Sequence, residues 1–300
     1  MVPFSLYFCY NYKNMSIQEK CRILDHQRLG PPYFKLILSS AYISSHAEPG
    51  QFVNVRIGEG YDPLLRRPLS VHRTSKEHKR FELLYEVIGR GTELLSGFSV
   101  GSELDVLGPL GKGFQIDKKK EIAVLAGGGM GVAPLLSLAE QITNDKLSRF
   151  AGSRNTMEYN NKESGQMTNA LYILIGAKTR DRVLCEKEFR NITDQVLVST
   201  DDGSYGKKGF ISDILLDFID NTLGARDWGL GTIYACGPQA MLKAVADIAF
   251  QKKIGCQVSM EQHMACGIGT CLGCVIQTKD GYKKVCDEGP VFDSREIVWE

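Results

Sequence analysis

The stretch Glu121-Ile-Ala-Val-Leu-Ala-Gly-Gly-Gly-Met-Gly-Val-Ala-Pro134 decides how this chain is divided. A short apolar run enters a glycine-rich turn, and a helical pattern follows over residues 132–142. Strands that are apolar on both faces belong in parallel sheets covered by helices. The same grammar recurs downstream: apolar runs at 121–126, 170–175, 195–198 and 232–235 alternate with helical stretches at 132–142, 180–190, 212–220 and 239–250. Residues 119–253 are therefore expected to form an α/β nucleotide domain with a parallel sheet. A glycine-rich turn between strand and helix presents main-chain amides to a pyrophosphate, which makes Gly128, Gly129 and Gly131 candidates for cofactor contact. The letters do not follow a strict G-x-G-x-x-G order, and such a turn needs glycine for close packing in any case.

Upstream the grammar is different. Residues 20–116 show short β runs, clearest at 33–38, 52–57, 81–88 and 103–107, with one short helical stretch at 91–96. Gly, Pro and charged turns separate them, a pattern that predicts a small antiparallel β-barrel over 18–118. Two motifs on it suit phosphate. In Arg66-Arg67-Pro68-Leu69-Ser70 a guanidinium and a hydroxyl lie on an extended segment that the proline can bend. In Gly89-Arg90-Gly91-Thr92 a strand gives way to a helix N-terminus, where glycine lets the main chain approach an anion. Read singly, the first is equally a solvated Arg pair and the second a hairpin turn with a threonine cap. Together they favour a flavin nucleotide.

The C-terminal region, 254–300, carries the sharpest signal. Nine cysteines stand at 9, 21, 185, 236, 256, 266, 271, 274 and 286, and four of them crowd into 21 residues. An odd count in a chain of this size does not read as a disulfide framework. Cys266-Gly-Ile-Gly-Thr-Cys271-Leu-Gly-Cys274, then eleven residues and Cys286, has the C-x4-C-x2-C…C spacing of a plant-type [2Fe–2S] site. Gly267, Gly269 and Gly273 let the loop curl with its amides toward sulfur. Structural zinc is the alternative, but it ordinarily uses two short Cys pairs, and here the gaps are four, two and eleven.

Composition excludes other classes. The chain has 300 residues, 43% hydrophobic and 24% charged, with 36 Lys plus Arg against 35 Asp plus Glu. No basic stripe marks a nucleic-acid partner, and no run approaches the ~18 uncharged apolar residues of a membrane span. Residues 1–17 are apolar but lack a basic n-region and a cleavage site, so they read as an extension of a cytoplasmic protein, not a signal peptide. The polar tract 144–169 is expected to be a surface insertion. Five scattered histidines show no metal-ligand spacing, and no residue is assigned as catalytic acid, base or nucleophile. Asp201, in Thr200-Asp-Asp-Gly-Ser204, follows a strand where a carboxylate can hold an adenosine ribose and repel a 2′-phosphate, though Asp-Asp-Gly is also an ordinary turn. Cys236-Gly-Pro238 ends another strand at the carboxyl edge, where ligands sit in open α/β sheets; a small buried cysteine before a helix is the plainer reading.

Taken in order, these pieces resemble the ferredoxin–NADP reductase superfamily, over about residues 18–300. Arg67-Pro-Leu-Ser70 matches its flavin-phosphate motif, and Gly127–Pro134 with Cys236-Gly-Pro238 its nicotinamide-side motifs. The run from Glu261 to Cys274, with Val285-Cys-Asp-Glu-Gly-Pro-Val-Phe292, closely resembles the electron-transfer subunits of type B dihydroorotate dehydrogenase. The resemblance implies FAD at Arg67, Pro68, Leu69, Ser70, at Leu84, Tyr85, Glu86 and at Gly91, Thr92. It implies a [2Fe–2S] cluster on Cys266, Cys271, Cys274 and Cys286, NAD as electron acceptor, and an FMN-containing dihydroorotate dehydrogenase catalytic subunit as partner in a heterotetramer of two of each. Flavin-based ferredoxin- or sulfide-linked NAD(P) oxidoreductase subunits are the nearest alternative, and typically carry Asp at the first ligand position, which here is Cys266. The chain departs from the family in its N-terminal extension, its 144–169 tract and the extra glycine of 127–129.

Overall fold

The computed structural model describes residues 8–9, 15–30, 32–117, 120, 122–152, 170–222 and 231–299. They divide into two compact units, one of Met1–Phe114, Ala133–Ser137 and Val258–Glu300, the other of Gln115–Val132 and Leu138–Gln257. The cysteine-bearing C-terminal segment thus packs with the barrel rather than standing apart from it.

The first unit is built on an antiparallel barrel. Its strands are β2 (Ser16–Gly30), β3 (Tyr33–Ser39), β4 (Phe52–Arg56), β5 (Arg67–Ser75), β6 (Arg80–Glu86) and β7 (Glu103–Leu110), in the spatial order β2-β3-β6-β5-β4-β7. One long strand closes it. The first part of β2 pairs with β7, from Ile17↔Gly108 to Arg22↔Glu103, and the rest pairs with β3, from Ile23↔Leu38 to Gly30↔Tyr33. A two-residue strand β1 (Phe8–Cys9) adds to its edge, so the N-terminal extension contributes one pairing to the barrel sheet. Helix α1 (Ala41–His46) is capped by Ser40, whose hydroxyl accepts from the Ile43 amide at 2.8 Å.

Period-two alternation sets what each strand shows the core. Val53 and Val55 of β4 join Leu36, Leu38, Val71, Phe81, Leu83, Tyr85, Leu104 and Val106 in the interior. Phe52 and Asn54 point to the opposite face, yet both are buried. The cover over Phe52 includes the turn at Gly111, and over Asn54 it is the C-terminal segment. That segment is tied down by main-chain bonds, Lys112 N–H to the Gly289 carbonyl at 2.5 Å and Met260 N–H to the Pro290 carbonyl at 2.8 Å.

In the second unit β8 (Ile122–Gly128), β9 (Leu171–Ala177), β10 (Val196–Thr200), β11 (Lys207–Lys208) and β12 (Gly231–Cys236) form a parallel sheet ordered β11-β10-β9-β8-β12. From β8 the chain moves outward through β9 and β10, then returns to the other side of β8 as β12. The helices are α3 (Ala133–Gly152), α4 (Glu186–Arg190), α5 (Ile211–Asp217) and α6 (Gln239–Gln251). Two expectations are corrected. Residues 144–152 continue α3 rather than opening an insertion, and the remainder of that tract, 153–169, lies outside the described residues. The helix read over 180–190 splits into a 3-10 turn, Arg180–Arg182, and α4, because Cys185 between them has φ +60°, which interrupts a right-handed helix. Strand β13 (Gly255–Ser259) then leads to the C-terminal segment, which holds β14 (Val275–Thr278), β15 (Gly281–Lys284) and β16 (Val291–Asp293).

Leu83 is fully buried in the barrel. Leu83→Ala should lower unfolding free energy by about 2–5 kcal/mol, measured by denaturant titration.

Candidate functional site

The eleven residues between Cys274 and Cys286 fold as a hairpin, β14 against β15, with Val275 opposite Lys284 and Thr278 opposite Gly281. Gly281 takes φ +107° at the turn, a conformation that favours glycine. The hairpin brings its flanking cysteines together: Val285 N–H donates to the Cys274 carbonyl at 2.9 Å, and Cys286 N–H to Cys274 Sγ at 3.4 Å. In the preceding loop Cys271 N–H donates to Cys266 Sγ at 3.3 Å. Gly269 N–H reaches across to Cys286 Sγ at 3.1 Å, joining the two halves. The sulfurs therefore pair as Cys266 with Cys271 and Cys274 with Cys286. Among the described residues no group of three or more His, Cys, Asp or Glu is gathered as it would be around one ion. Two pairs of thiols, each met by main-chain donors, fit a binuclear cluster in which each iron takes two cysteines, and fit a single zinc tetrahedron poorly.

The two halves of the site differ in how readily a thiol ionises before a metal is bound. Burial pushes the Cys266 thiol up, but hydrogen bonds from the amides of Cys271, Ile268 and Thr270 and from the Cys271 side chain outweigh it, bringing it down to about 7. Cys286 is pushed up to about 12 by burial and then by Cys274 beside it, the behaviour of two sulfurs sharing a site before a metal takes the charge. Lys284 Nζ donates to the Gly269 carbonyl at 2.8 Å and pairs with Asp287 at 3.3 Å, pinning the loop from outside. Gly267 and Gly269 have φ +68° and +78°. A Cβ on Gly269 would fall 2.8 Å from Asp287 Cγ, and one on Gly267 would strike the side-chain amide of Asn54.

Asn54 was not singled out by sequence reasoning, although it is the only polar residue between Phe52 and Val55 in an apolar run. Its side chain is buried at 1% exposure, and neither Nδ2 nor Oδ1 has a hydrogen-bond partner in the protein.

The two phosphate-suited motifs meet on the barrel. Arg66 is committed to the fold, with its guanidinium 2.8 Å from Asp105 Oδ1 and donating to the Asp105 carbonyl at 3.0 Å. Arg67 instead lies over Gly91, where an added Cβ would come within 2.6 Å of its guanidinium carbon. Gly91 sits in the first turn of α2 (Arg90–Ser96). Thr92 spends its hydroxyl on the start of that helix, accepting from the Ile88 amide at 3.1 Å and donating to the Gly89 carbonyl at 3.1 Å, which leaves its main chain for a ligand. The helix N-cap is Gly89, not the threonine. Pro68, Leu69 and Ser70 are half-exposed on β5, with Pro68 opposite Asn54 and Ser70 opposite Phe52 on β4. Leu84 is buried and Glu86 half-buried at the end of β6. Tyr85 turns its ring into the barrel core and bonds His26 Nε2 through its hydroxyl at 2.8 Å, while His26 Nδ1 contacts the Phe98 carbonyl at 2.8 Å. The Tyr85 side chain is thus structural, and a ligand there would meet its main chain.

In the second unit the strand order reverses between β8 and β12, the place where ligands sit in open α/β sheets, and at their carboxyl ends Cys236 lies opposite Gly127. The glycines divide their labour. A Cβ on Gly131 would collide with the Cys236 carbonyl and come 2.6 Å from Gly237 N, and one on Gly128 would strike Met241, so these two serve the close packing of both turns. Gly129 has φ +54° and nothing within 4 Å of an added Cβ, so it is glycine for its backbone conformation and not for close packing. Cys236 is buried at the end of β12. Asp201 is exposed beyond β10, on the far side of β9 from β8. Its neighbour Asp202 closes the turn by accepting from the Ser204 hydroxyl at 2.6 Å, a bond that also lowers the Asp202 carboxyl.

A closed antiparallel barrel followed by a parallel-sheet nucleotide unit is the fold of the ferredoxin reductases. A ferredoxin–NADP+ reductase from Neisseria gonorrhoeae with bound FAD and NADP shares it at TM-score 0.60 and 16% identity, over 78% of this chain and 91% of that one. A solved NADH-dependent reduced ferredoxin-NADP oxidoreductase, described for flavin-based electron bifurcation, matches at TM-score 0.75 and 30% identity, over 93% and 90%. Two family models match, the iron-sulfur cluster binding domain of dihydroorotate dehydrogenase B over residues 261–298 and the oxidoreductase NAD-binding domain over 125–247. The dihydroorotate dehydrogenase B (NAD(+)) electron transfer subunit of Geobacillus sp. (strain WCH70) is 36% identical over 289 residues, 95% of this chain and 100% of its own. That of Desulforamulus reducens is 33% identical over 283 residues, covering 93% and 97%. The chain belongs to the family of dihydroorotate dehydrogenase B electron transfer subunits.

Gly129→Ala meets only the positive-φ penalty of about 1–2 kcal/mol. Gly131→Ala carries no positive-φ penalty but must displace the main chain of Cys236 and Gly237, so its loss of thermal stability should be clearly larger, a ranking that calorimetry of the two variants checks.

Proposed function

We propose that the chain takes electrons from the FMN of a dihydroorotate dehydrogenase catalytic subunit and passes them through a [2Fe–2S] cluster and FAD to NAD+, in the cytoplasmic route to UMP. The observation that carries this reading is the two-and-two arrangement of Cys266, Cys271, Cys274 and Cys286, on a segment packed in the same compact unit as Arg67 and Gly91. When bound, FAD supplies the exchange between single electrons and a hydride that a one-electron cluster needs to serve NAD+. The chain's own residues bind and orient. Arg67, with the amides of Gly91 and Thr92, holds the flavin pyrophosphate, and Pro68, Leu69 and Ser70 border the flavin along β5, beside the main chain of Leu84, Tyr85 and Glu86. The Gly129 amide and the Cys236 turn receive the nicotinamide nucleotide, with Gly128 and Gly131 shaping the crevice, and Asp201 holds the adenosine ribose. No acid–base residue is needed, since the cofactors carry the reaction.

Leu272, between Cys271 and Cys274, is 75% exposed. An apolar side chain beside the ligands gives the FMN subunit a dry contact next to the cluster, in a heterotetramer with two copies of each subunit. No helix among the described residues is long and apolar enough to cross a membrane.

A second reading has one observation behind it: the 30% identity to the NADH-dependent reduced ferredoxin-NADP oxidoreductase favours a role in ferredoxin- or sulfide-linked NAD(P) reduction. Cysteine at 266 weighs against it. Co-purification with the FMN subunit separates the two. Dihydroorotate should reduce NAD+ only when both subunits are present; ferredoxin-dependent NAD(P) reduction without dihydroorotate activity would sink the first reading.

Arg67→Ala removes a charge-assisted contact of about 1.5–3 kcal/mol. FAD affinity should fall by about 10- to 100-fold, measured by flavin fluorescence on titration of the apoprotein, while the cluster absorption is retained.

A further inference from the structure

We propose that Asn54 is a positioning residue for the cluster, donating its side-chain N–H into the cysteine loop and thereby raising the cluster's reduction potential relative to the flavin's. The inference rests on the assignment of a [2Fe–2S] cluster to the four cysteines and adds a residue from outside the cysteine segment.

Three observations converge on Asn54. It stands on the outer face of β4, since its neighbours Val53 and Val55 fill the barrel core. It is 1% exposed, with both amide atoms unpartnered in the protein. Burying an amide without a partner costs about 1–3 kcal/mol, which a strand tolerates poorly when valine would serve the same position. Finally, the amide is aimed at Gly267, the residue after Cys266, so closely that glycine alone fits there. The group this loop is built to hold presents sulfur acceptors, and these would satisfy the orphaned donor. Which end of the amide carries nitrogen follows from the same chemistry: an acceptor oxygen facing thiolates would be repelled, a donor attracted.

The consequence for potential follows from charge. Reduction adds an electron to an already anionic cluster, and an N–H directed at it stabilises the reduced form more than the oxidised one. Loss of the donor therefore lowers the potential. Asn54 is also directly opposite Pro68 of the flavin-suited strand, and side chains so paired in an antiparallel sheet share one face. One residue thus touches the cluster loop on one side and borders the flavin segment on the other.

The test is a potentiometric titration followed by electron paramagnetic resonance, on the assembled complex with wild type and Asn54→Leu. The expected result is a shift of the cluster midpoint to lower potential in Asn54→Leu, with iron content and flavin midpoint unchanged. An unchanged cluster midpoint at full iron content overturns the proposal. Should Asn54→Leu fail to retain iron, the wild-type complex labelled at asparagine side-chain nitrogen decides instead. The reduced cluster should show hyperfine coupling to one labelled nitrogen, and absence of that coupling overturns the proposal. If the wild-type complex gives no [2Fe–2S] signal on reduction, the cluster assignment itself fails, an outcome separate from either of these.

Discussion

Gly267 meets Asn54 with no room for a side chain, and this contact fixes where the cysteine loop sits on the barrel. The loop has little regular structure of its own, so its shape comes from outside it. The hairpin β14–β15 closes one end and brings Cys286 to Cys274. Lys284 holds the Gly269 carbonyl, and β4 supplies the floor. With those three restraints the amides of Gly269, Cys271 and Cys286 all point at sulfur. Preorganised donors of this kind cost no reorganisation when charge on the site changes, which suits a centre whose work is to gain and lose electrons.

The second unit obeys a different constraint, the return of β12 to the vacant side of β8. That reversal leaves no crossover to fill the space above the two strand ends. Gly128 and Gly131 let the turns that follow pack tightly, which sets Gly129 and the Cys236 turn side by side at the carboxyl ends of the two strands. The site is a product of topology first and of side chains second.

Much of this was legible from the residues. The alternating apolar runs placed every long strand of the parallel sheet to within a few residues, and the cysteine spacing pointed to a binuclear site because a ligand pattern is a local property. The long β2 was missed: its Lys, Glu, Arg and Asp residues interrupt any alternation, and pairing with two different strands, not its own pattern, holds it extended. The double role of the Arg pair was also hidden, because Asp105, which claims Arg66, lies on a strand distant in sequence. The resemblance implies a flavin contact at Tyr85 without saying through which atoms; strand parity turns its ring inward to His26 and leaves its main chain for a ligand. Asn54 left a faint signal, one polar residue in an apolar strand, whose meaning depends on a loop more than two hundred positions away. What escaped, in each case, was a pairing between distant segments.

The closure of the barrel by β2 and β7 joins residue 17 to residue 108, and such long-range pairings form late because the intervening chain must first lose its freedom. During synthesis the barrel cannot close until β7 has emerged, whereas the cysteine segment follows much later and forms its hairpin from neighbours. The seat on β4 is thus complete before the thiols that rest on it are made. Iron delivery to this chain meets a finished surface and a freshly arrived loop, and a destabilised barrel would betray itself as poor cluster loading while the parallel-sheet unit, which does not depend on β4, keeps its own fold.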